Sequence, residues 1–335
     1  MAVLVTGATG FLAQWVVDYL LKENYVVIGT VRSQEKGEKL HRQFGSPSNL
    51  SFEIIPDISE PAAFEPLFKK RGEEIDIVLH IALPHSVNVR DYENDILVPV
   101  VNTTKGILNA IRIYGDVKKI VMTSSFLTIL DVFKFGNECT VFTEKDWNPA
   151  TWEECQIDLV SAYSGSKKFA EEVAWDFATE TGIFLSTINP ALILGPQKFE
   201  EDVRPRSNTY NKIVDSLLHT KPGDKIIPKY FPCYVDVRDV ARAHLIAIQK
   251  DTDGERLCLW NDGFFPQNIL NILNQKFPHL RGEIAEEKDV SRLSTGFRAV
   301  IDTTRTKEIL GFTFTSLEES VCDAVVQILK KEGRI

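Results

Sequence analysis

Short runs of apolar and β-branched residues recur through the first 190 positions, at Val3–Thr6, Val26–Val31, Phe52–Ile55, Ile75–Ile81, Lys119–Ser124 and Phe184–Ile188. Each run is continuous rather than alternating, which is the pattern of a strand buried on both faces. Between the runs the period changes. Leu12, Val16 and Leu20 repeat every fourth position within Phe11–Lys22, and longer helical patterns cover 98–114 and 161–181. Strands alternating with helices predict an α/β fold, a doubly wound parallel sheet with right-handed crossovers.

The alternation stops after Pro190, where Gly195-Pro196, Pro205 and Pro222-Gly223 punctuate loops and short helices. A helix over 236–250 and a strand over 256–260 follow, and the remainder is mainly helical, closing with 317–331. No internal repeat or low-complexity tract interrupts the chain.

Composition narrows the picture. The chain has 335 residues, 44% of them hydrophobic and 25% charged, enough to bury a large core without disulfides or a structural metal. A net charge of −9 argues against non-specific nucleic-acid binding, which needs clustered cations. The five cysteines lack zinc-knuckle or dithiol spacing and read as reduced thiols. No apolar run approaches a membrane span, and the first residues lack a basic region followed by an apolar block. The expected compartment is the cytoplasm.

The first strand leads into Thr6-Gly7-Ala8-Thr9-Gly10-Phe11-Leu12-Ala13 and then into a helix. Small residues at this spacing permit a tight turn at Gly7, close approach of a pyrophosphate at Gly10 and close packing of helix on sheet at Ala13. The helix N-terminus adds amide donors and a positive dipole end. Gly7, Ala8, Thr9, Gly10, Phe11 and Leu12 are therefore cofactor-binding candidates. At the end of the second strand, an enzyme preferring NAD usually places a carboxylate for the ribose hydroxyls. Here Gly29-Thr30-Val31-Arg32-Ser33-Gln34 has no acid before Glu35. Arg32, able to stack on adenine and pair with a 2′-phosphate, and Lys36 one turn later favour NADP(H). Asp57 is a weaker candidate for the adenine ring and could equally cap the following helix. On this reading, residues 1–190, completed by about 231–262, form the NADP-binding domain, with 191–230 and 263–335 as the substrate lobe.

Tyr163 and Lys167 stand four apart in a helical pattern, on one face and about 6 Å apart along the axis. A phenol ionises near pH ~10, and an adjacent ammonium favours the phenolate, so the pair suits proton donation near neutrality. Tyr-x3-Lys alone is a frequent accident. Its weight comes from Thr123-Ser124-Ser125 at the C-terminal end of a strand, where open α/β sheets bind ligands and a hydroxyl can meet a developing oxyanion.

Gly7-x2-Gly10-x2-Ala13, Ser125 and Tyr163-Ser-Gly-Ser-Lys167 resemble the extended short-chain dehydrogenase/reductase family. Arg32-Ser-Gln-Glu-Lys36, Asn148-Pro-Ala-Thr-Trp152, Asp236-Val-Arg-Asp-Val-Ala241 and Lys331-Glu-Gly-Arg-Ile335 are similar to its fungal NADPH-dependent aldehyde/ketone reductases of the methylglyoxal/3-methylbutanal type. The resemblance runs from end to end. It implies that Tyr163 donates the proton, that Lys167 binds the nicotinamide ribose and acidifies Tyr163, and that Ser125 contacts the carbonyl. It further implies that Pro190 to Ile193 border the nicotinamide. Three positions depart from the pattern. Leu83 stands where a small or hydroxyl residue is expected, and His85 and Leu192 stand where an aromatic residue is frequent, leaving substrate size and stereochemistry open. Phe126 and Tyr210 join His85 and Leu192 as candidate pocket residues.

Other chemistries are disfavoured. His80 and His85 share no face and have no third ligand, so no metal is expected. Neither a Gly-x-Ser-x-Gly elbow nor a Gly-x4-Gly-Lys loop occurs. The expected activity is an NADPH-dependent reduction of small aldehydes and ketones by a monomer or homodimer. The rivals are a nucleotide-sugar epimerase or dehydratase of the same fold and a non-enzymatic NADP sensor.

Overall fold

The computed structural model describes residues 1–84, 89–131, 134, 137, 139–205, 211–231, 233–290, 293 and 296–335. Eleven strands lie among them: β1 (Ala2–Val5), β2 (Val26–Val31), β3 (Leu50–Ile54), β4 (Ile75–His80), β5 (Lys119–Thr123), β6 (Val141–Phe142), β7 (Phe184–Pro190), β8 (Leu192–Leu194), β9 (Tyr234–Asp236), β10 (Arg256–Leu259) and β11 (Val300–Ile301). The α-helices are α1 (Phe11–Lys22), α2 (Gln34–Gln43), α3 (Glu65–Arg71), α4 (Val98–Tyr114), α5 (Leu159–Thr181), α6 (Lys212–Leu218), α7 (Val237–Gln249), α8 (Pro266–Lys276), α9 (Thr304–Leu310) and α10 (Leu317–Lys331).

Seven strands form one sheet in the order β10-β7-β5-β4-β1-β2-β3, with every pairing parallel. The continuous apolar runs have the cause inferred from the sequence. Successive strand residues face opposite layers, and both layers are apolar. Val3 and Val5 belong to the core with Val16, Leu20, Val240 and Ala247 of α1 and α7. Leu4 between them packs with Phe64, Phe68, Ile107, Ile111 and Ala170 of the α3, α4 and α5 side. Full burial of one such side chain stabilises by roughly 1.5–3 kcal/mol, so a polar residue on either face of β1 would be costly.

The strand order reverses between β1 and β4, which opens a crevice at the carboxyl edge where sheets of this kind bind ligands. Beyond β7 the chain builds a separate core from Leu194, Val214, Leu217, Phe264, Leu270, Leu273, Val321, Val325 and Leu329. Of two small parallel ladders, β8 with β9 joins two of these later segments, and β6 with β11 ties residues 300–301 back to 141–142 ahead of β7. Strands β8, β9 and β11 fall where the sequence pattern predicted only loops and helices, and β6 falls in a stretch where it predicted no element. They are two or three residues long, too short to register as a period.

Candidate active site

The glycine loop is held by two threonines. Gly7 N donates to Thr30 Oγ1 over 2.9 Å, and Ala8 N donates to Thr30 O over 2.9 Å. Buried Thr6 uses its Oγ1 to accept from Ile81 N and Ala82 N, each at 2.9 Å, so β1 and β4 are stitched together at the crevice. Gly7 has φ +66°, a left-handed conformation that side chains resist, and a Cβ there would stand 3.1 Å from Ala82 Cβ. Gly10, the N-cap of α1, brings no side chain to cap the first turn. The strand-to-helix cradle thus fits a dinucleotide phosphate on backbone amides.

Arg32 and Lys36 are both exposed just beyond β2. Ser33 caps α2 by accepting from Lys36 N over 3.3 Å, which sets the orientation of that first turn. Asp57 does not cap the next helix, whose N-cap is Phe64. Its Oδ1 instead accepts from Ser59 N and Oγ, at 2.9 and 2.6 Å, which holds its carboxyl below the usual range with the nearby Arg32 guanidinium assisting. Arg32, Lys36 and Asp57 are all exposed, with the Arg32 guanidinium near the Asp57 carboxyl.

Asp158 starts α5 by accepting from Val160 N and Ser161 N, each at 2.8 Å, and Gly182 ends it in the left-handed conformation. Tyr163 is 36% exposed and Lys167 only 5%, so this face of the helix runs from the rim of the crevice into the interior. Lys167 Nζ donates to Thr123 O over 2.6 Å. Burial pushes the ammonium down to about 8, with the Glu171 carboxylate opposing that fall. Gly165 lies between the two residues, and a methyl there would overlap Cys155 Sγ and Cβ. The glycine lets the turn at 154–156 press against α5.

The two serines after β5 have separate partners. Ser124 donates its hydroxyl to Glu171 Oε2. Ser125 accepts from Leu127 N over 3.2 Å and caps the turn Phe126–Thr128. A hydroxyl that accepts in a cap keeps its own proton to donate, so capping and carbonyl contact are compatible in Ser125.

Phe126 is half-buried with its ring edge-on to Trp260, centroids 5.8 Å apart. Pro190 is buried at the end of β7, Leu192 packs against the C-terminal core and Ile193 against the sheet core. Leu83 packs on the α3–α5 side. His85 and Tyr210 lie outside the described residues. His80 is a buried core residue with its ring between Thr6 Oγ1 and Thr104 Oγ1, at 3.3 and 3.5 Å. Among the described residues no group of three His, Cys, Asp or Glu could hold a metal, and no helix is long and apolar enough to cross a membrane.

Sequence reasoning missed the polar residues beneath the site. Asn189, His244, Glu171 and Arg256 carry no local motif. Only the improbability of burying a charge marks Glu171 and Arg256, and that cannot be read before burial is known.

Residues 3–261 match the NAD dependent epimerase/dehydratase family. The chain belongs to that family. It is 47% identical over 343 aligned positions, covering all of both chains, to the NADPH-dependent methylglyoxal reductase GRE2 of Saccharomyces cerevisiae. Among solved structures, that of yeast methylglyoxal/isovaleraldehyde reductase Gre2 complexed with NADPH superposes with a TM-score of 0.95, 46% identity and full coverage of both chains. The Candida albicans Gre2 complex with NADPH gives a TM-score of 0.94 at 42% identity, covering 98% of this chain and 99% of the other.

Proposed function

We propose that the protein is an NADPH-dependent carbonyl reductase that converts aldehydes and ketones to alcohols. The carrying observation is the face of α5 that sets a rim tyrosine, Tyr163, one turn above a buried ammonium, Lys167, with that ammonium bonded to the end of the strand that presents Ser125. Full-length similarity to reductases named for NADPH and methylglyoxal supports the same reading.

The cofactor is assigned to Gly7, Ala8, Thr9, Gly10, Phe11 and Leu12 for its pyrophosphate and to Arg32 and Lys36 for its 2′-phosphate, with Asp57 at the adenine edge. Pro190 and Ile193 border the nicotinamide. When bound, the reduced nicotinamide supplies hydride to the carbonyl carbon. Ser125 and Tyr163 are the two donors for the carbonyl oxygen. Tyr163 gives up its proton as the alkoxide forms, and Lys167 stabilises the phenolate left behind. Phe126, Leu192, His85 and Tyr210 are proposed to line the pocket of a small, largely apolar substrate. Residues 1–190 with about 231–262 act as the cofactor domain, and 191–230 with 263–335 close over the substrate. The reading includes a cytoplasmic monomer or homodimer, consistent with five free cysteines, three of them buried.

The test is NADPH consumption by the purified protein across a panel of aldehydes, diketones and ketoesters that includes methylglyoxal and 3-methylbutanal. Turnover of some members supports the assignment. A protein that is inert to all of them but carries tightly held NAD and interconverts a nucleotide sugar would be an epimerase instead.

A further inference from the structure

The Tyr163–Lys167 face of α5 continues one turn further, to Glu171, a fully buried carboxylate. Its Oε1 accepts from Arg256 Nε at 2.6 Å, Thr187 Oγ1 at 3.2 Å and Trp175 Nε1 at 3.3 Å. Its Oε2 accepts from Asn189 Nδ2 at 2.9 Å and from Ser124 Oγ, and lies 2.8 Å from Thr128 Oγ1. Arg256, 8% exposed, uses its other nitrogens on the carbonyls of Glu144 and Asp146, at 2.9 and 2.5 Å, and on Thr128 Oγ1 at 3.0 Å. Its guanidinium lies over the Trp147 ring, 3.9 Å from the centroid.

Two apolar side chains could join these elements without desolvating two charges, so an ion pair at this depth is no argument for stability. What the pair adds is direction. Ser124 precedes Ser125, Thr128 ends the turn that Ser125 caps, and Asn189 Nδ2 reaches Ser125 O at 3.3 Å as well as Glu171. The carboxylate therefore fixes the chain on both sides of Ser125, from the same helix that carries Tyr163 and Lys167.

We infer that Glu171, held in place by Arg256, is a positioning residue that sets Ser125 against Tyr163 and Lys167. The inference rests on the reductase reading and adds a residue to it. Glu171 touches neither substrate nor cofactor and acts through the serine loop.

The test compares wild type, Glu171→Gln and the double variant Glu171→Met/Arg256→Met, measuring kcat and KM with an aldehyde, NADPH affinity by fluorescence, and the thermal midpoint. Glu171→Gln replaces one acceptor oxygen by a donor among donors and leaves the Arg256 guanidinium without a counter-charge. We expect kcat to fall about 10- to 100-fold, as for a misplaced catalytic group, with NADPH affinity unchanged within about threefold. The double variant removes both buried charges, so its thermal midpoint should recover while kcat stays low. Recovery of kcat together with stability would make the pair merely structural and overturn the inference. Where neither variant folds, Ser124→Ala removes one bond to Glu171 and no charge. A several-fold loss of kcat at an unchanged midpoint supports positioning, and an unchanged kcat overturns it. Wild-type protein inert to NADPH and every aldehyde would instead defeat the reductase reading itself.

Discussion

Lys167 Nζ donates to the main-chain oxygen of Thr123 across 2.6 Å, joining the helix of the candidate proton donor to the end of the strand that leads into Ser125. Thr123 is held at its side chain too, with Oγ1 2.7 Å from His244 Nε2. His244 Nδ1 lies 2.8 Å from Val240 O, an atom that can only accept. Nδ1 therefore carries the proton, and Nε2 accepts from the Thr123 hydroxyl. A neutral buried imidazole and a buried ammonium thus fix one residue from two sides, and the strand end beneath the site has little freedom to shift.

This arrangement predicts a pH dependence. Carbonyl reduction needs the phenol protonated and the ammonium charged, so the rate is retained at lower pH and lost as pH rises. Burial holds Lys167 at about 8, and the wild-type rate should fall as pH rises past that value. Lys167→Met should lower kcat by about 100-fold or more. The alkaline limb of its residual activity should move up towards an ordinary phenol near pH ~10. A limb left in place would show that the ammonium does not tune Tyr163.

Arg32 offers a separate handle on the cofactor. Hydrogen bonds to a charged phosphate contribute about 1.5–3 kcal/mol, so Arg32→Asp should reduce the preference for NADPH over NADH by roughly 10- to 100-fold. Steady-state kcat/KM with each cofactor measures the ratio. If the ratio is unchanged, Arg32 does not meet the 2′-phosphate.

Gly165→Ala should destabilise the fold, because its new methyl overlaps Cys155 Sγ and Cβ. Overpacking of this kind costs about 1–3 kcal/mol even though alanine is the better helix former. Denaturant unfolding reads the change. Cys155→Gly in the same chain should return part of the loss, and no interaction between the two substitutions would contradict the contact.

Two buried histidines predict sensitivity to acid. Desolvation lowers His80 from 6.5 to about 3 and His244 from 6.5 to about 4. Both then bind protons more readily in the unfolded chain, so their contribution is complete above about pH 6.5 and is lost as pH falls towards 4 and then 3. Asp239 runs the other way. Burial raises it to about 6, a penalty present above that pH and relieved below it, offsetting part of the loss. The thermal midpoint should fall between pH 6.5 and 4, and His244→Gln should flatten the slope.

The elements that position the site were legible where apolar period or caps were strong. Phe11–Lys22 and Val98–Tyr114 have the predicted bounds, and β2 spans the predicted Val26–Val31. The spacing of Tyr163 and Lys167 placed both on one helix, and Ser125 follows β5 as its run implied. By contrast, α2 buries only Gly37 and Leu40 along ten residues, which left no stripe to read. The β8–β9 ladder depends on partners about forty residues apart. Glu171 and Arg256 are 85 residues apart and meet only because β10 joins the sheet beside β7. Sequence spacing reports what one helix or one strand does. It is silent on polar groups that folding brings together from several elements.

Tyr163→Phe tests the central claim most directly, since it deletes one oxygen and leaves the ring. The expected protein binds NADPH with unchanged fluorescence titration, retains its thermal midpoint, and shows no measurable NADPH oxidation with aldehydes that the wild type reduces. Substantial turnover by that variant would mean that the proton comes from elsewhere, and the role assigned to Tyr163 and Lys167 would be wrong.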